Sequence, residues 1–470
     1  MVSGKTFFLF GPRVSEATKQ ALREQLGYEE IPADFGPFGS GAPFCELFPF
    51  YKEEREAFKK QHTGLSEKAL EAQFAARYEA NRARLAGAHI IFVESTGEQP
   101  DVAESVERVR FAVNSFKHYG AAEITLAMPN VAYERQDRGF NEHGRLCSIG
   151  TKWLAKDLKR YEVDRVVTFA PHSQDGIKFW RDEFGERNYH PLQTTEMFAE
   201  HIRRQFPDTA NVVIGAPDGG EPEKENDQGQ ARARELAAAV HGISPEEAKR
   251  GLFLIKKKHT SASGTECEFI SGDVAGKNCV IIDDMSDGGS TLINAAKALK
   301  DRGAKSVSVY FTHAICSEQG VSKEKYDSLL GFAQSAENEL LSLAKGAHRT
   351  LLSFAQAVDS SLHQFFGAES ILQSQKPLML SDELKSFERR SSLAKLAACE
   401  NIDHIVTTDT VPEIIAKRAA LEPVLRDKVE VLSIGPQLAQ TLQQILGHEK
   451  PGTDINGDMD IITNSPQTRR

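Results

Sequence analysis

The stretch "VIIDDMSDGGSTLINAA", residues 280–296, begins as a buried strand and changes character within three residues. Val280, Ile281 and Ile282 run straight into two acids, Asp283 and Asp284. A third acid, Asp287, follows, then Gly288, Gly289, Ser290 and Thr291, then an amphipathic helical pattern. Two adjacent carboxylates repel each other, so their place at the end of a core strand asks for a reason. In a parallel α/β sheet, ligands collect beyond the carboxyl ends of the strands. Glycines let the backbone approach a ligand closely, and the amides that open a helix attract anions. The hydroxyls of Ser290 and Thr291 add donors. The paired acids can accept hydrogen bonds from two neighbouring sugar hydroxyls, or reach Mg²⁺ through water. Acids for a sugar diol beside amides for a phosphate make a site for a sugar phosphate such as ribose 5-phosphate.

The same strand-to-helix alternation extends outward from this stretch. Short apolar runs rich in β-branched residues occur at 89–96, 123–130, 165–172, 211–218, 252–258, 278–284 and 306–313. Helical patterns fill intervals such as 105–120 and 293–303, the latter stopping at Gly303. Strands alternating with helices predict parallel sheets covered on both faces. Two segments break the rhythm. Residues 50–86 are charged and helix-prone, and residues 318–400 carry apolar residues at helical spacing. Both read as helical insertions. From Gly447 onward the chain is polar and reads as a loose tail.

The bulk composition narrows the function. With 470 residues, two or three domains are expected. A net charge of −10 argues against nucleic acid as a main partner, which calls for a basic surface. The six cysteines are scattered with no C-x-x-C pair, so neither a zinc site nor a disulfide framework is expected. No apolar run approaches the length of a membrane span, and "TFFLF" after Lys5 is too short for a signal-peptide core. The expectation is a cytoplasmic protein with reduced thiols and no membrane contact.

"VIIDDMSDGGSTL" resembles the phosphoribosyl-diphosphate loop shared by type I phosphoribosyltransferases and ribose-phosphate pyrophosphokinase, or PRPP synthetase. Four further stretches are similar to the synthetase family in particular. "AYERQDRG" (132–139) resembles its Y-A-R-Q-D-R/K nucleotide segment, which implies ATP contacts for Arg135, Gln136 and Asp137. "VDRVVTFAPHSQDGIKFW" (163–180) places His172 on the histidine that approaches the metal–ATP complex, with Ala170 where the family has an aspartate. "IGAPDGG" (214–220) resembles S-P-D-x-G-G, implying that Asp218 helps to hold ribose phosphate and Mg²⁺. "FLIKKKHTSASGTECEFISGDVAGKNCVIIDD" (253–284) is similar to the catalytic flexible arm and the strand after it. There Lys257 falls on the catalytic lysine, and His259 stands in place of the catalytic arginine. A further departure is "FGSGAPF" (38–44), where Ser40 and Ala42 replace the polar and acidic residues that read adenine.

The resemblance implies an α/β protein of two type I phosphoribosyltransferase-like domains, each a mainly parallel sheet flanked by helices, with helical insertions. The expected division is 1–189, with an insertion at about 50–86, and 190–435, with an insertion at about 318–400. The junction falls near Asn188 to Pro191. Residues 436–450 would return to the first domain, and 451–470 form the tail. It also implies a Mg²⁺-dependent enzyme that moves the diphosphoryl group of ATP to ribose 5-phosphate and assembles as a homo-oligomer. Arg135, Gln136, Asp137 and His172 would hold ATP, with His172 and Asp218 near the metal. Asp218, Asp283, Asp284, Asp287, Gly288, Gly289, Ser290 and Thr291 would hold the sugar phosphate. Lys257 and His259 would act on the transferring group. Two other readings compete: a catalytically weak homologue that regulates a partner, favoured by the changes at Ser40, Ala42 and His259, and a phosphoribosyltransferase that consumes PRPP.

Overall fold

The computed structural model describes residues 5–36, 45–48, 60, 64, 66–97, 102–140, 146–217, 228–260, 264–317 and 391–447. The strands of the first half are β1 (Thr6–Phe10), β2 (Glu29–Glu30), the small antiparallel pair β3 (Ala33–Asp34) and β4 (Glu46–Leu47), β5 (His89–Val93), β6 (Glu123–Met128), β7 (Arg165–Phe169) and β8 (Tyr189–Leu192). Six of them make one parallel sheet in the order β2-β1-β5-β6-β7-β8. Its helices are α1 (Glu16–Leu26), α2 (Glu67–Leu85), α3 (Val102–His118), α4 (Gly150–Arg160) and α5 (Gln174–Phe184).

Successive strand residues point to opposite faces of a sheet, so an unbroken apolar run feeds two cores. Phe7, Leu9, Ile90, Phe92, Leu126 and Val166 pack on one face with α3, α4 and α5. Phe8, Phe10, Ile91, Val93, Ala127 and Val167 pack on the other.

The second half repeats the plan. After α6 (Thr195–Gln205) come β9 (Val212–Gly215), α7 (Gln228–His241), the antiparallel hairpin β10 (Leu254–Thr260) and β11 (Gly264–Ser271), and β12 (Asn278–Ser286). They are followed by α8 (Ser290–Asp301), β13 (Ser306–Ala314), α9 (Ser392–Ala398), β14 (His404–Thr408), α10 (Glu413–Ala419), β15 (Val429–Leu432) and α11 (Gly435–Gly447). The second sheet is also all parallel, ordered β15-β14-β13-β12-β9. Cys279, Ile281, Val307, Val309 and Ile405 face one core, and Val280, Ile282, Tyr310 and Val406 face the other. Two parallel sheets covered on both faces are therefore present, in the α/β class expected from the alternating pattern.

Three details depart from the sequence reading. β8 pairs with β7 along Tyr189–Leu192, so the polypeptide stays in the first sheet through Leu192, one residue past the expected junction at Asn188 to Pro191. Residues 392–398, read as part of an insertion, form a buried helix whose Leu393 and Leu396 belong to the second core. β12 continues past Asp284 to Ser286, so the acid pair lies inside the strand rather than at its last two positions.

The final helix, α11, packs Leu438, Ala439, Leu442 and Ile445 into the same core as Phe8 and Ile91 of the first sheet. Asp409, just after β14, clamps this return: it accepts hydrogen bonds from the hydroxyls of Ser15 and Thr18 and from the amide of Ile434. Within the insertion read at 50–86, α2 is described, capped at its start by Ser66. The segments 37–44, 49–59, 218–227, 318–390 and 448–470 lie outside the described residues.

Candidate functional site

Strand alternation resolves the opening problem of two adjacent acids. Asp284 points inward and is only 3% exposed, whereas Asp283 is half-buried on the opposite face of β12. The inward carboxylate has partners on two elements. His172, on the loop after β7, donates Nδ1–H to Asp284 Oδ2 at 2.6 Å, and Arg232 of α7 places Nη1 at 3.4 Å from Oδ1. Burial opposes ionisation of Asp284, but the Arg232 guanidinium and the His172 contact outweigh it and hold the carboxyl well below the usual range. Asp283 goes the other way: burial first, then the charge of Asp284, pushes it well above the carboxylate range. The amide of Asp284 donates back to Asp283 Oδ1 at 2.9 Å. The surroundings thus favour the ionised form of Asp284 and the protonated form of Asp283.

Arg232 also donates to the carbonyls of Pro171 and His172, at 3.2 and 2.9 Å, and so ties α7 to the loop that carries His172. With Nδ1 of His172 facing Asp284, its Nε2 faces away from that contact.

Beyond β12 the chain turns through Gly288 and Gly289 into α8. Gly289 has φ 76°, and a Cβ there would lie 2.9 Å from Leu396 Cγ, so both conformation and packing require glycine. Among the described residues a Cβ at Gly288 would meet nothing within 4 Å, so the backbone is open to them on that side. Among the described residues no side chain caps the start of α8, and the free amides that open a helix favour an anion. Beside this loop, Asp287 accepts a hydrogen bond from Ser317 and faces Arg135 Nη1 at 3.4 Å. Ser317 is held in turn by Ser392, whose hydroxyl donates to its carbonyl at 2.8 Å. Lys417 secures the preceding turn through the carbonyls of Ile315 and Cys316, at 2.8 and 3.3 Å.

The segment after β6 reaches the same place from the first half. Tyr133 has φ 63° and packs edge-on against Trp153, 5.9 Å between ring centres. Arg135 is exposed and points to Asp287. Gln136 is exposed beside the start of α4, where a Cβ at Gly150 would lie 2.5 Å from its Oε1. Asp137 is buried, with Arg138 Nε 3.9 Å away, so its side chain faces protein rather than the opening.

The structure therefore gathers Arg135, His172, Asp284, Asp287 and the loop Gly288–Thr291 from both halves of the molecule, with Gln136 at the edge. Lys257 and His259 lie on β10, opposite Cys267 and Thr265 of β11, and their side chains are outside the described positions. Asp218, Ser40 and Ala42 are outside the described residues. Two contributors escaped the sequence reading, Arg232 and Glu134. Glu134 lies inside the quoted "AYERQDRG", where an acid in a charged turn carries no signal of burial. Arg232 was detectable only as one of two arginines on a helix following a Pro–Asp–Gly–Gly turn.

As for a metal, among the described residues no group of three or more His, Cys, Asp or Glu side chains is placed to hold one. That donor set is compatible with Mg²⁺, which usually takes one or two protein ligands and completes its shell with water and phosphate oxygens. His172 Nε2 is the described group open to such a role.

A Phosphoribosyl transferase domain model matches residues 191–330. A ribose-phosphate pyrophosphokinase of Ureaplasma parvum is 27% identical over 259 residues, covering 54% of this chain and 71% of that protein. Those of Ralstonia nicotianae and Chromobacterium violaceum are 33% and 35% identical over 231 and 212 residues. The chain spans 65% and 57% of the length of these two relatives. The crystal structure of a phosphoribosylpyrophosphate synthetase from Mycobacterium smegmatis superposes with a TM-score of 0.58 over 94% of this chain and 99% of that one. At 18% identity that likeness concerns the fold.

Proposed function

The chain belongs to the ribose-phosphate pyrophosphokinase family, and from that premise we propose that it transfers the diphosphoryl group of ATP to ribose 5-phosphate. The oxygen of the 1-hydroxyl bonds to the β-phosphorus, the bond from the β-phosphorus to the oxygen bridging it to the α-phosphorus breaks, and the hydroxyl proton is lost. The products are PRPP and AMP.

The observation that carries this reading is the open, glycine-built turn at the end of β12, with Asp287 beside it and Arg135 across from it. The 5-phosphate sits on the turn Gly288–Thr291 at the start of α8, and Asp283 and Asp287 face the sugar hydroxyls. Burial and the neighbouring acid favour the protonated form of Asp283, which donates to a hydroxyl as well as accepting from one. Asp284 serves from behind: it fixes the tautomer and direction of His172.

Arg135 binds the polyphosphate, with Gln136 beside it. His172 and Asp218 would hold Mg²⁺, which would supply charge neutralisation at the transferring group. Lys257, on the hairpin arm, adds a second positive charge there, with His259 next to it. Holding two anionic substrates in line is most of what such a transfer needs from a protein.

A cytoplasmic location and a homo-oligomeric assembly belong to the same proposal. Among the described residues no helix is long and apolar enough to cross a membrane.

The test is formation of AMP and PRPP from ATP, ribose 5-phosphate and Mg²⁺ by native protein and by Lys257→Ala. The expected result is product from the native protein and a loss of about 10²-fold or more in the variant. Well-folded native protein that binds ribose 5-phosphate yet forms neither product would favour the regulatory homologue instead.

A further inference from the structure

The turn that follows β13 has a backbone its sequence does not favour. Cys316 is not a glycine, yet its φ is 43°, in the left-handed region. Such a conformation persists only where the surroundings hold it, and here they do. The amide of Cys316 donates to the carbonyl of Ser286, at the end of β12, at 2.9 Å. The hydroxyl of Ser392 donates to the carbonyl of Ser317 at 2.8 Å. Lys417 of α10 donates from Nζ to the carbonyls of Ile315 and Cys316, at 2.8 and 3.3 Å. Those two carbonyls flank the strained residue, and their convergence on one amino group fixes its conformation.

A lysine is an unexpected residue for that place. Lys417 is 3% exposed, and a lysine head group is seldom buried because leaving water is unfavourable. Its helix also sends Ile414 into the second core, and another apolar side chain at 417 would fill space there more simply. What the lysine adds is a direction for the residue after Cys316. The hydroxyl of Ser317 donates to Oδ1 of Asp287, while Oδ2 of the same carboxylate faces Arg135 at 3.4 Å. A continuous series of contacts therefore runs from the buried side of α10, through the main chain of the turn, to Ser317 and then to an acid beside the open glycine turn.

We infer that Lys417 is a positioning residue for the sugar-phosphate site: it holds the strained turn 315–317 so that Ser317 sets the orientation of the Asp287 carboxylate toward the ligand. Lys417 does not touch substrate. It acts through Ser317 on Asp287, and in that sense the inference rests on the reading of Asp287 given above. Its loss disturbs one turn and one carboxylate, and leaves the rest of the second core in place.

The test uses the full chain as native protein, Lys417→Met, Ser317→Ala and the double variant. In calorimetric titration with ribose 5-phosphate, each single variant is expected to lose about tenfold in affinity. The double variant is expected to bind within about twofold of Ser317→Ala, because the lysine acts through that serine. Alkylation by iodoacetamide, read peptide by peptide in a mass spectrometer, follows the turn without any substrate. Cys316 is fully buried, and its labelling is expected to rise about tenfold in Lys417→Met, while the buried Cys279 of β12 keeps its native rate. If the labelling behaves this way and the native protein binds no ribose 5-phosphate, the hold on the turn stands and the assigned ligand falls. Where the native protein binds, native affinity in either single variant, or losses that multiply in the double variant, overturns the inference. Unchanged labelling of Cys316 overturns it as well. So does labelling of Cys279 that rises together with Cys316, since the lysine then serves the whole core rather than one turn. Ser317→Ala removes a single hydroxyl and keeps the test decisive where Lys417→Met does not fold.

Discussion

The carboxyl ends of β5 and β12 occupy equivalent places in two sheets of the same kind, yet one is filled and the other is open. After β5 comes Glu94, fully buried, with Arg108 donating to Oε1 at 3.3 Å and the amide of Arg13 donating to Oε2 at 3.1 Å. Ser95 donates to the carbonyl of Thr410, and Thr96 receives the amide of Ala132. The side chains of Glu94, Ser95 and Thr96 are each bonded to another part of the same protein. After β12 the corresponding turn has two glycines and, among the described residues, open space at Gly288 and a helix with no side-chain cap. The fold supplies two strand ends of similar geometry, and the side chains decide which of them receives a ligand.

Breaking the filled end carries the largest expected effect on stability. Glu94→Ala removes the main partner of a buried arginine, although Arg108 retains Glu104 at 3.2 Å. Loss of one member of a buried pair costs about 3 kcal/mol here, at the low end of the usual range because of that second partner. Urea unfolding of the two proteins measures it. Affinity for ribose 5-phosphate should not change. A variant that lost the ligand with unchanged stability would remove the distinction between the two ends.

The joint between the halves gives a smaller effect, visible through pH. His313, at the end of β13, donates Nε2–H to the carbonyl of Phe169 at 3.1 Å, and its Nδ1 lies 3.1 Å from Thr410 Oγ1. It is fully buried, and burial lowers its pKa to about 4, against opposing influences from Asp284 and the nearby carbonyls. The unfolded chain binds a proton on this histidine below about pH 6.5, and the folded protein does so only below about 4. Stability therefore falls as pH is lowered through that window. Between pH 7 and pH 5 the histidine accounts for about 2 kcal/mol of the loss. Denaturant unfolding at both pH values should show that share of the difference disappear in His313→Gln. An identical pH response in the two proteins would mean that the joint is not held by a neutral histidine.

The parts of this molecule legible in the sequence were those written in one continuous stretch. The run Val280–Ile282 followed by acids and glycines specified strand, turn and helix start together, because each residue type has one local use there. The alternation of apolar runs with helical patterns likewise carried two covered parallel sheets. Features that depend on what packs against what were not legible. β8 has His190 and Pro191 where an apolar run would have marked a strand, so the boundary fell too early. The periodicity of 392–398 marked a helix but not that a sheet covers it. The opposite titration of Asp283 and Asp284 follows from strand alternation and from Arg232, 52 positions upstream of Asp284, and no local pattern contains that pairing. Glu134 was hidden for the same reason, since a charged turn looks the same whether its middle acid faces water or the core.

The central claim is that the open end of the second sheet, and not the filled end of the first, takes the sugar phosphate. Calorimetric titration of ribose 5-phosphate into native protein, Gly288→Asp and Glu94→Gln tests it most directly. Gly288 has room for a side chain, so aspartate there leaves the fold intact and places a negative charge in the phosphate turn. The account predicts binding by native protein and by Glu94→Gln, and a loss of affinity of about tenfold or more in Gly288→Asp at an unchanged melting temperature. Equal binding by native protein and Gly288→Asp, or binding abolished only in Glu94→Gln, would contradict it.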